Sequence, residues 1–173
     1  MKKQQKTEVW LRGPIPEVPN LLQPCAHALL QSKEEVENYM RDFPVELLWM
    51  EPANRASVGF HLQHLTGVVD RMLSYAEGKK LSEAQYRYLR NEGKCNEELA
   101  VEFLMNKFQE KVDEAINFLK NNPESIFTEF RPVGRKELPS TVIGLLFHAA
   151  EHSQRHVGQL LVTVSFVKES GYY

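Results

Sequence analysis

The segment from Pro139 to about Lys168 sets the tightest limit on what this chain can fold into. It reads as one long helix, apolar nearly all the way round both before and after a cluster of histidines. A helix with that pattern belongs in the middle of a bundle, because no side of it is suited to water. The chain must therefore supply partner helices.

It does. Leu22, Ala26, Leu29, Leu30, Val36 and Tyr39 recur at mostly helical spacing from about Asn20 to Met40. Pro24 is tolerable there only as part of the first turn, and Phe43-Pro44 closes the segment. A second helix starts near Ser57, a good N-cap, carries Leu62, Leu65, Val69, Met72 and Ala76, and ends at Gly78. Ser82-Glu83-Ala84-Gln85 has the form of a capping box and opens a short helix to about Arg90. Asn96 is placed to cap a long helix to about Lys120, with Leu99, Phe103, Phe108, Val112, Ala115, Ile116 and Leu119 facing inward. Asn121-Asn122-Pro123 stops it, and Phe127 to Pro132 reads as a short extended piece. Four long helices with short connections predict an all-α fold, a four-helix bundle with one short extra helix. Residues 1–17 are expected to form an irregular arm kept extended by Pro14, Pro16 and the following Pro19, and the whole of 1–173 is expected to be a single domain.

Composition removes several classes of function. The 21 basic and 23 acidic residues leave a net charge of −2, against a dedicated nucleic-acid binder. No apolar run approaches the roughly 18 residues of a membrane span. Cys25 and Cys95 are far apart and form no CxxC pattern, which fits a reducing compartment. The start MKKQQKTEVWLRGPIPEVP lacks the apolar core of a signal peptide, so a cytoplasmic protein is expected.

Five of the six histidines fall in two clusters: His61 and His64 on the second helix, and His148, His152 and His156 on the last. Residues i and i+4 share a helix face about 6 Å apart, so His148/His152 or His152/His156 can grip one ion. His148 and His156 are about 12 Å apart along the axis, too far to share a small ion. Two buried imidazoles each need a polar partner, and a divalent cation satisfies both. A third histidine from the facing helix would leave one coordination position open. Spacing alone does not choose between His61 and His64. His148-Ala149-Ala150-Glu151-His152 also matches H-x-x-E-H, a zinc pattern in which the glutamate is the base, but the match is short. His27, alone on its helix, is expected to be an ordinary hydrogen-bonded core histidine.

Arg55-Ala56-Ser57-Val58-Gly59-Phe60-His61-Leu62-Gln63-His64-Leu65, then Asp70-Arg71-Met72-Leu73, then His148-x-x-Glu151-His152-x-x-x-His156-x-Gly158-Gln159 resemble the DinB/YfiT-like superfamily in order and spacing. The resemblance runs from about Val18 to Val167. It implies a bacterial metal-binding four-helix bundle, with His64, His152 and His156 as ligands to a divalent transition metal, commonly nickel or zinc. It further implies metal-dependent hydrolases or transferases that use low-molecular-weight thiols, acting on small molecules and commonly homodimeric. His61 and His148 depart from the pattern and are expected to line the pocket or support the ligands.

Two classes of function follow. In the first, the metal activates water or a thiol as the nucleophile of an enzyme, with Glu151 as a candidate general base. Gln159, three residues past His156, would orient a ligand or bind substrate. In the second, the metal only pins two helices together. A structural zinc site normally has four protein ligands, so three histidines without an evident fourth favour the open, catalytic kind. Gly59, Gly67, Gly144 and Gly158 interrupt predicted helices at about 1 kcal/mol each relative to alanine, and close helix approach or room for a ligand would each account for them. Trp10 and Trp49 are expected to serve ordinary packing.

Overall fold

The computed structural model describes residues 7–170. The basic run at the very start of the chain lies outside them. Five helices carry the fold: α1 Gln23–Tyr39, α2 Val58–Ala76, α3 Glu83–Asn91, α4 Val101–Asn121 and α5 Val142–Ser170. Two short strands, β1 Phe130–Val133 and β2 Leu138–Thr141, lie between α4 and α5. The fold is mostly all-α, as the periodicity predicts. Helix α5 packs on both α1 and α2, and α4 closes the bundle from the other side against the same two helices.

Local chemistry sets most of the boundaries. Pro24 lies in the first turn of α1, where its missing N–H costs nothing. Ser57 Oγ accepts the Phe60 N–H (3.1 Å) and starts α2. Ser82 and Gln85 complete the reciprocal capping box of α3. The core draws Leu29 and Val36 from α1, Leu62 and Leu65 from α2, Phe108 and Val112 from α4 and Leu160 from α5, all at most 2% exposed. Each such side chain stabilises the fold by roughly 1.5–3 kcal/mol on burial. Gln154 adds a polar tie between α5 and α1, donating to Ser32 Oγ (2.8 Å) and Ala28 O (3.1 Å).

Four expectations need correction. Helix α4 starts at Val101 rather than at Asn96. The Asn96 side chain accepts the Glu98 N–H (3.0 Å) and so holds a local turn that competes with helix. Phe103 faces solvent at 48% exposure, with Lys107 over its ring, because it lies about 140° round the helix from the buried Phe108. The last helix begins at Val142, not Pro139: residues 138–141 pair antiparallel with 130–133, Phe130 opposite Thr141. That hairpin serves the start of α5, whose first N–H groups have no partner within the helix. Glu129 O and Phe127 O accept from Val142 and Ile143, and Thr141 Oγ1 accepts from Gly144. Finally, α5 is not enclosed on all sides. Phe147 and Val162 are 60% and 69% exposed, so one apolar side of the helix faces outward.

The N-terminal arm is irregular but docked. Val9 is buried, its N–H donates to Gln31 Oε1 (2.9 Å), and Ile15 exchanges two hydrogen bonds with the Gln23 side chain. His27 is the ordinary histidine its isolation predicts, its Nε2 3.1 Å from Gly13 O. Trp49 donates to Asn96 O (3.1 Å) and packs against Gly59, where a Cβ would strike its ring. No helix among the described residues is long and apolar enough to cross a membrane.

Candidate metal centre

The i, i+4 spacing on α5 puts the rings of His152 and His156 side by side, their centroids 4.6 Å apart. Helix α2 lies opposite, and His64 projects from it between them, 5.2 Å from His152 and 4.4 Å from His156. Ligating atoms of these three residues all fall within 4.8 Å of one another. His61 lies beside the trio, its Nδ1 3.2 Å from His156 Nδ1. His148 lies on its other flank and turns outward, with its side chain 46% exposed.

Hydrogen bonds assign the nitrogens. Glu92 is almost fully buried, and its Oε2 is 2.6 Å from His64 Nδ1. A carboxylate only accepts, so Nδ1 carries the proton and the lone pair of Nε2 points away from Glu92. It points at His152 Nε2, 3.0 Å distant. His152 Nδ1 is buried and has no hydrogen-bond partner. Such an imidazole is poorly satisfied as it stands: either two lone pairs face each other, or one ring nitrogen is stranded. A cation between the two Nε2 atoms removes the first difficulty, and the donor set is the one divalent transition ions prefer. Nε2 of His156 makes no hydrogen bond to any described residue, while its Nδ1 is engaged by His61.

Burial and neighbouring charges keep His61, His152 and His156 neutral. Burial pushes His61 down to about 4, helped by the nearby His64. Burial pushes His156 down to about 3, with His64, His152 and His61 adding to it. His152 is lowered for the same reasons. Neutral imidazoles have lone pairs to offer at pH 7. The three histidines therefore fit a metal.

The support for His64 was not readable in the sequence. Glu92 Oε1 accepts from Arg71 Nη1 (2.5 Å), and Arg71 is itself buried. Gly67 makes this possible, because a Cβ there would lie 2.2 Å from Glu92 Oε1 and 2.6 Å from Arg71 Nη1. Gly93 donates to Gln63 Oε1 (2.7 Å) and fixes the loop that presents Glu92. Phe60 stacks on the His64 ring at 5.2 Å and 12°. Arg71 shares a helix face with His64, a usable signal. Glu92 follows α3 in a charged stretch with no periodicity to mark it.

Glu151 belongs to a second group. His148, Glu151 and His152 also bring ligating atoms within 4.8 Å of one another, so H-x-x-E-H has a geometric basis. Glu151 Oε1 is 2.9 Å from His148 Nδ1, and Oε2 accepts from Arg155 (2.6 Å). Burial alone would raise this carboxyl, but Arg155 and His148 outweigh it and hold it below its usual value. His152 is common to both groups. Gln159 lines a cavity with His61, next to the trio rather than within it. The described cysteines are both free, Cys25 buried and Cys95 exposed.

A family model described as the DinB superfamily matches residues 28–160, which include both histidine clusters, Glu92 and Arg71. No curated protein matches the chain.

Proposed function

The chain belongs to the DinB superfamily, and from that premise we propose that it is a metal-dependent enzyme whose His64, His152 and His156 hold one divalent ion, nickel or zinc, in an open site. The observation that carries this reading is the buried Glu92 on His64 Nδ1, with Arg71 behind it. A carboxylate that fixes a ring and raises its basicity is the usual outer partner of a metal-binding histidine. Such an ion lowers the pKa of a coordinated water or thiol, and so supplies a nucleophile near neutral pH. The proposed reactions are hydrolysis, or transfer from a low-molecular-weight thiol to a small electrophilic substrate.

The chain's own residues do the rest. Glu92 holds the His64 tautomer, and His61 holds the orientation of His156 by the contact between their Nδ1 atoms. Phe60 covers the His64 ring and excludes water from that side. Glu151 is the carboxylate beside His152. As a proton acceptor its strength is limited by the two hydrogen bonds it accepts, from Arg155 and His148. His148 and Gln159 border the site and contact whatever enters it.

A second reading places the ion on His148, Glu151 and His152 instead. An exposed free Cys95 agrees with a reducing cytoplasm. The outward apolar side of α5, with Phe147 and Leu161 60% and 41% exposed, supports a homodimer that covers it. Metal analysis of the purified protein, with a screen of small thiols and electrophiles, tests the central proposal. Activity that survives complete removal of metal overturns it.

A further inference from the structure

Gly158 stands apart from the other glycines of α2 and α5. A Cβ at Gly59 would strike Trp49, one at Gly67 would strike Glu92 and Arg71, and one at Gly144 would press on Ser140 and Thr141. A Cβ at Gly158 would meet nothing within 4 Å. Helix packing therefore does not require this glycine, although it weakens the helix that contains it. What lies beside it is a cavity of about 550 Å³, a size suited to a small organic ligand.

The walls of that cavity have a clear chemistry. Arg55, Arg155, Gln159, His61 and Thr163 are its polar lining, Ala56 and Val162 are apolar, and no acidic residue is among the lining. Among the described residues the Arg55 guanidinium has no hydrogen bond or ion pair, so all of its donors remain available. Arg155 gives one nitrogen to Glu151 and keeps the rest of its fork. Two guanidinium charges less the one on Glu151 leave a single positive charge beside the cavity. His61 links the cavity to the trio, since it lines one and touches His156 of the other.

We propose that this cavity binds the carboxylate of a small organic ligand, with Arg55 as the principal anchor, Arg155 and Gln159 beside it, and the ligand's apolar body over Gly158 and Val162. A carboxylate matches the guanidinium fork with two parallel hydrogen bonds. Its single charge also matches the one guanidinium charge left unpaired once Glu151, outside the lining, has paired with Arg155, whereas a phosphate monoester carries about −1.5 to −2 at pH 7. The proposal deepens the enzymatic reading and rests on it in one respect only, that the far end of the ligand lies toward the histidine trio.

The test follows the backbone amides of Gly158 and Gln159 by NMR in full-length protein stripped of metal by a chelator. The probes are 3-phenylpropionate, its neutral amide, and phenethyl phosphate. The expected result is a saturable shift with the carboxylate, with at least tenfold weaker binding of the amide. Arg55→Gln is expected to weaken carboxylate binding at least tenfold. Gly158→Leu, whose side chain enters open space, is expected to abolish it in a folded protein. No saturable shift, equal affinity for the amide, tighter binding of the phosphate, or no effect of Arg55→Gln overturns the proposal. Because the measurement is made without metal, its failure is separate from failure of the metal site. Selective carboxylate binding in a protein that takes up no metal keeps this proposal and removes the enzymatic one, and metal uptake without it does the reverse.

Discussion

His64 is held by two buried side chains, Arg71 to Glu92 and Glu92 to His64, each link at hydrogen-bond distance. Removing the carboxylate's charge while keeping its shape should loosen the tautomer without emptying the site. Glu92→Gln is therefore expected to lower metal affinity about 10- to 100-fold, as read by competition with a chromogenic chelator. Unchanged affinity would show that Glu92 only packs against Arg71. The neutral histidines make a second prediction. Burial lowers His61 and His156 to about 4 and 3, while the unfolded chain restores the ordinary 6.5. Below 6.5 the unfolded state binds more protons than the folded one, so the stability they contribute is full above that pH and is lost as pH falls toward 4. Metal-free protein should thus unfold at lower urea concentration at pH 5 than at pH 7. The dependence is up to about 1.4 kcal/mol per pH unit for each proton taken up on unfolding. Equal stability at the two pH values would contradict the assignment.

At the scale of elements, caps and periodicity explain most of the bundle. Ser57→Ala removes the hydrogen bond that starts α2 and is expected to cost about 1 kcal/mol in urea unfolding, with the slope unchanged. No loss would mean that the packing of Trp49 against Gly59 sets that boundary. The four long helices and the histidine clusters were legible because each rests on local signals: spacing, caps and stop residues. What was not legible depends on partners distant in sequence. Nothing near Pro139 marks that residues 138–141 pair with 130–133. The predicted start at Asn96 fails because that side chain closes a turn instead of a helix, and Phe103 lies off the stripe that Phe108 and Val112 turn to the core. Glu92 becomes a partner of His64 only when the α3 loop folds back over α2. The all-round apolar pattern of α5 was right for the faces that meet α1 and α2. It said nothing of the outward face, because periodicity cannot tell a buried side from one that meets another molecule.

For the whole molecule, that outward face of α5 carries a prediction. Sedimentation velocity should find a dimer, and Leu161→Asp should give a folded monomer. A monomeric wild-type protein at micromolar concentration would remove the homodimer from the account. The metal is expected where α2 and α5 meet, and bound metal per chain can be measured in the wild type beside His64→Ala, His156→Ala and His148→Ala. About one divalent ion is expected in the wild type and in His148→Ala, and none in the other two. Loss of metal in His148→Ala, with retention in His64→Ala and His156→Ala, would contradict this and place the ion on His148, Glu151 and His152 instead.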